Sequence, residues 1–228
     1  MITFISRREL LKRAGLLTAA AAVPVDSGSL NAQTTRPSAP STVRPPLEQL
    51  SASEFDTLDA VVARLIPSEP NGLGAREAGA ALYIDRALGG ALASSRAAYT
   101  SGLAALDRYA RSKTGRPFAE LQADAQDGVL VDTERDVATG FDGPSSAFFA
   151  LVRSHTIQGT FCDPFYGGNA GFAGWDLIGY PGVRTSVDAD EQRLGIVVPP
   201  NHKSAYEGAV FNRATADNSP HDRSHHGD

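Results

Sequence analysis

The sequence predicts an all-α protein: a compact helical domain followed by a long glycine- and aromatic-rich loop and a polar tail. Three observations carry that expectation. Apolar residues between Leu47 and Phe161 recur at spacings of three and four behind recognisable caps. No stretch in that region alternates apolar and polar residues as a half-buried strand would. At Asp163 the composition changes to glycine, proline and aromatic residues. Five or six helices with short connections make a bundle-like domain.

Residues 1–32 stand apart as a cleaved twin-arginine leader, with Arg7 and Arg8 as its export signal. Ser6-Arg7-Arg8-Glu9-Leu10-Leu11-Lys12 and Arg13 give a charged start, Ala14 to Val25 an apolar stretch, and Ala32 a small-residue end. The stretch has 12 residues, whereas a membrane-spanning helix needs roughly 20, so a permanent anchor is the weaker reading. Cleavage before Gln33 follows from the small residue at Ala32. Residues 33–46 hold four prolines and no apolar period, which marks a linker.

The helical domain is expected over residues 47–182. Ser51 with Glu54 three residues on makes a capping box, and Phe55, Leu58, Val61, Val62, Leu65 and Ile66 share a face until Pro67. Pro67 to Gly74 is a loop. A second helix is expected from about Ala75 to Leu88, ending at Gly89-Gly90, and a third from about Leu92 to Ser112, with Tyr99, Leu103, Leu106 and Tyr109 on one face. Shorter helical stretches follow at Phe118 to Ala123 and Gln126 to Ala138. Pro144 opens another helix, carrying Phe148, Phe149, Leu151, Val152 and Ile157.

Asp163 to Gly182 holds six glycines, two prolines and five aromatic residues, a composition that does not sustain a regular helix. With Phe161 the rings number six (Phe165, Tyr166, Phe172, Trp175 and Tyr180 being the others), and they are either tucked back on the helices or offered to another surface. Residues 183–228 form a polar tail with one apolar island at Leu194 to Val198, expected to be extended or partly disordered.

Composition restricts the function. The chain has 21 basic and 26 acidic residues, and losing four basic and two acidic ones with the leader leaves a net charge of −7. Nucleic acid is therefore not an expected partner. A single cysteine, Cys162, excludes an internal disulfide and an iron–sulfur cluster, and with nothing basic beside it reads as a small buried filler. There is no Gly-x-Gly-x-x-Gly after a strand, no Gly-Lys-Ser/Thr loop and no Cys-x-x-Cys-His, so no cofactor is expected in this chain, nor any catalytic or metal residue. His221, His225 and His226 lie in the tail without a completing carboxylate, and adventitious metal binding accounts for them. His155 and Asp163 could be read as an acid/base pair. Their separation across a helix end does not itself bring them into reach, so a structural role is preferred and an independent periplasmic enzyme is the alternative.

Several segments together resemble one family, the small third subunit of gluconate 2-dehydrogenase and related membrane-bound sugar and sugar-acid dehydrogenases. They are the leader, Glu54-Phe55 through Ala63-Arg64-Leu65-Ile66-Pro67, Gly79 through Tyr83-Ile84-Asp85-Arg86-Ala87-Leu88, and His155-Thr156-Ile157-Gln158-Gly159. The most specific is Asp163-Pro164-Phe165-Tyr166-Gly167-Gly168-Asn169, followed by Gly174-Trp175 and Ile178-Gly179-Tyr180-Pro181-Gly182. The resemblance implies a non-catalytic subunit that binds, stabilises and co-exports a large FAD-dependent subunit of the glucose-methanol-choline type, with a multihaem cytochrome c as the usual third member. It also implies a periplasmic complex held at the inner membrane. Asp163, Pro164, Tyr166, Gly167, Gly168, Asn169, Trp175, Tyr180 and Pro181 are the partner-contact candidates. The tail after Gly182 departs from the family pattern.

Overall fold

The computed structural model describes residues 46–208. The leader, all but the last residue of the linker and the histidines of the distal tail lie outside them. The described residues contain six α-helices and short 3₁₀ turns, with no strand beyond one isolated bridge between Glu69 and Gly72. The fold is all-α, as the periodicity predicts.

Helix α1 (Ala52–Leu65) begins where expected: Ser51 Oγ accepts from Glu54 N at 3.3 Å, and Ser51 N donates to the Glu54 carboxylate at 2.8 Å. Partial burial works against ionisation of Glu54, but the Ser51 bonds, joined by Thr100 and the charge of Arg96, together hold the carboxyl below its usual range. Leu58, Val61 and Val62 are buried, while Phe55, Leu65 and Ile66 pack at the edge of the core. The helix stops at Ile66 because Pro67 disfavours helical geometry in the residue before it.

Helix α2 is shorter than the expected Ala75–Leu88 and spans Ala80–Ala87. Gly79 sits at φ +73°, a left-handed conformation that breaks the run. The Ala78 carbonyl accepts from Ala170 N at 2.9 Å. Asp85, fully buried on α2, accepts from three successive backbone amides, Glu48 N at 2.8 Å, Gln49 N at 3.0 Å and Leu50 N at 2.7 Å. That cradle pins the segment leading into α1.

The expected third helix divides into a 3₁₀ turn at Ala93–Ser95 and α3 (Arg96–Thr114), which buries Tyr99, Leu103 and Leu106. Phe118 is likewise buried, on a 3₁₀ turn (Phe118–Glu120) whose first amide donates to Asp107 Oδ1 at 2.8 Å. Helix α4 (Ala123–Glu134) starts three residues before the expected Gln126–Ala138 and ends four residues before its end, where Asp136 turns the chain at φ +63°. Helix α5 (Ser145–Phe161) follows Pro144 as expected. Its buried Thr156 and Thr160 donate to the carbonyls of Val152 and Thr156 at 2.8 and 2.7 Å, which satisfies both hydroxyls inside the helix. None of these helices is long and apolar enough to cross a membrane.

The glycine-rich segment corrects one expectation. It contains 3₁₀ turns at Pro164–Tyr166 and Ala170–Phe172 and a six-residue helix, α6 (Ala173–Ile178). Left-handed residues bound that helix, Phe172 at φ +64° and Gly179 at φ +66°. Glycine therefore stops the helix rather than preventing it.

Candidate functional site

The surface built from Asp163 to Pro181 is fastened to the end of α5. Asn169 is fully buried; its amide donates to the Gly159 carbonyl at 2.8 Å, Nδ2 to Cys162 O at 3.0 Å, and Oδ1 accepts from Gly174 N at 2.8 Å. Gly168 and Gly174 lie so close to α5 that a Cβ on either would collide with the carbonyls of Gly159 and Thr160. These contacts explain why small residues occur there, and they make the base of the loop rigid.

Trp175 is 6 % exposed, donates Nε1–H to Phe161 O at 3.0 Å, and packs on Tyr180 and Phe172 at centroid distances of 4.8 and 5.4 Å. Of the two roles open to the rings, Trp175 takes the core one. Gly168 and Asn169 are buried with it, and Pro164, Gly167 and Pro181 are half-buried. Tyr166 is 55 % exposed and Phe165 62 %, with Tyr180 partly exposed at the edge.

Asp163 is the hub of the exposed part. Its carboxylate accepts from Phe165 N at 2.9 Å, Ser204 Oγ at 2.6 Å and Ala205 N at 2.8 Å. Desolvation works to raise this carboxyl, but the bonds from Ser204, Phe165 and Ala205 outweigh it and hold it below its usual range. The tail, expected to be extended or partly disordered, is thus tied back in its described part. Ser204 and Glu207 form a second capping box around a 3₁₀ turn (Ala205–Glu207). Further along, His202 stacks on Phe172 at 5.0 Å and its Nε2 lies 2.7 Å from Asp176 Oδ1. Asn201 Nδ2 donates to Val183 O at 2.8 Å. The apolar island stays outside, Leu194 and Val197 being exposed.

The tail turn sets Tyr206 on the loop. Its ring stacks on Phe165 at 3.9 Å, meets Tyr166 edge-on at 5.8 Å, and its hydroxyl lies 2.6 Å from that of Tyr166. Sequence reasoning missed Tyr206 and Ser204, although the Ser204-Ala205-Tyr206-Glu207 spacing is the same capping-box signal that located α1.

His155 and Asp163 have separate partners. His155 Nδ1 lies 3.0 Å from the Tyr99 hydroxyl, and the two rings stack inside the domain at 5.8 Å. Burial lowers the imidazole from its ordinary 6.5 and raises the Tyr99 phenol far above its usual value. Neither group meets Asp163, whose bonds go to the loop and tail. Cys162 is half-buried, and that burial pushes its thiol up, which suits a packing role. Among the described residues no group of three or more His, Cys, Asp or Glu side chains could hold a metal ion.

A protein-family model described as gluconate 2-dehydrogenase subunit 3 matches residues 52–182, from the first residue of α1 to the last glycine of the loop. No curated protein and no solved structure matches the chain.

Proposed function

We propose, since the chain belongs to the gluconate 2-dehydrogenase subunit 3 family, that it binds, stabilises and carries to the periplasm a large FAD-dependent dehydrogenase of the glucose-methanol-choline type. The substrate class of that partner is a sugar, sugar acid or polyol. A multihaem cytochrome c completes the complex and holds it at the inner membrane. FAD and haem belong to those partners.

One observation supports an adaptor over an independent enzyme most strongly. The family-matching segment ends in a loop whose base is locked to α5 while Phe165 and Tyr166 stand in solvent. Large rings on a rigid base contribute contact area at little conformational cost, which suits an interface. His155 and Asp163, the residues an independent enzyme would use, each hold another part of the fold in place.

The test is export. Replacing Arg7 and Arg8 together by lysine removes the double-arginine signal, and both this chain and the flavin subunit should then remain in the cytoplasm. Fractionation with a dye-linked dehydrogenase assay measures it. Normal periplasmic activity in the double variant refutes co-export.

A further inference from the structure

We infer that Tyr206, a residue beyond the family-matching segment, belongs to the surface that meets the dehydrogenase subunit, and that Asp163 and Ser204 are positioning residues that hold it there. The inference rests on the adaptor reading and adds the tail to it.

The turn at Ala205–Glu207 is specified twice, by its own capping box and by two bonds to Asp163 from Ser204 Oγ and Ala205 N. A turn built only to stabilise this chain would bury its large apolar side chain, as Trp175 is buried at 6 %. Instead Tyr206 remains 36 % exposed and stacks on the more exposed Phe165, with Tyr166 closing a set of three mutually packed rings. Clustered exposed rings of this kind are what a protein interface uses. The charge at their centre is already satisfied, because Asp163 accepts three hydrogen bonds from this chain. What the surface offers a partner is therefore apolar area with a phenolic pair at its edge. That matches the apolar core of a stable subunit contact rather than an ionic or nucleic-acid ligand. The family is that of a subunit, so partner subunits are implied, and on the adaptor reading the one this surface meets is the large flavin subunit.

The experiment co-expresses the full-length tagged chain with the large flavin subunit from its host. It compares wild type, Tyr206→Ala, Ser204→Ala and Tyr206→Phe by affinity between purified partners and by thermal melting of the small subunit. Tyr206→Ala should weaken binding about thirtyfold or more with an unchanged melt. Ser204→Ala should weaken it to a lesser degree by loosening the turn while leaving the ring present. Tyr206→Phe should retain most of the affinity. Wild-type binding with no loss in Tyr206→Ala overturns this inference and leaves the adaptor reading standing. Failure of the wild type to bind the flavin subunit overturns both. Self-association of the small subunit that Tyr206→Ala abolishes would assign the surface to a second copy and overturn the inference as well.

Discussion

Trp175→Ala separates the inner half of the glycine-rich segment from its outer half. The indole is 6 % exposed, contacts the Phe172 and Tyr180 rings, and donates to Phe161 O at 3.0 Å. Truncating a buried aromatic to alanine costs about 3–5 kcal/mol. Phe161 lies in the last turn of α5, where carbonyls lack an intrahelical donor, so its oxygen also loses a partner. For a domain of this size each kcal/mol shifts the midpoint by about 2–4 °C, which gives a drop of about 6–20 °C. The assay is a circular-dichroism melt of the chain lacking residues 1–32. Tyr166→Ala is the control: its ring is 55 % exposed and packs on Phe165 and Tyr206, so its truncation should cost about 1 kcal/mol, well short of the Trp175 loss. A Trp175→Ala melt equal to wild type, or a Tyr166→Ala melt as low as that of Trp175→Ala, refutes the division into a buried anchor and an exposed contact.

Asp85→Ala should cost about 2 kcal/mol or more, because the buried Leu50 amide and the part-buried Glu48 and Gln49 amides all lose their acceptor, and Asp85→Asn should cost less because one oxygen remains; urea midpoints of the two variants check the order. Burial depresses His155 below its ordinary 6.5. The unfolded chain therefore binds the proton more readily, and the stability contribution present above pH 6.5 is lost as pH falls below it. His155→Gln should flatten the urea-midpoint profile below pH 6.5 relative to wild type. Asp163 is depressed from a lower starting value, 3.8, so its contribution is full above that value and disappears only as pH falls further, through its folded-state value. The mature chain purified alone should show no flavin or haem absorption, because it carries none of the sequence motifs those groups need; a stoichiometric visible band contradicts this.

Signals contained in one stretch of chain are legible in this sequence, and contacts between distant residues are not. Helix α1 was legible because its cap, its apolar period and its terminating proline all lie within a single stretch of chain. The expected α2 begins too early because Ala75 to Ala78 have good helix propensity, while the Ala78 carbonyl is taken by Ala170 far along the chain. Helix α6 escaped notice because composition penalises glycine wherever it falls, yet Gly179 sits at the helix end, where a left-handed residue is favourable. The tail looked structureless because its anchors, Asp163 to Ser204 and Asp176 to His202, join positions 41 and 26 residues apart. The candidate site was legible as a segment, but which ring faces inward depends on the bond from Trp175 to Phe161 and on the glycines that let the loop approach α5.

The adaptor role is tested most directly by size-exclusion chromatography of the full-length tagged chain co-expressed with the large flavin subunit, following tag, flavin absorbance and dye-linked dehydrogenase activity together. All three should co-elute, and the tagged chain expressed alone should reduce no dye. A colourless chain that turns over substrate by itself, or a tag that elutes free of flavin while the active flavoprotein elutes separately, would contradict the adaptor role.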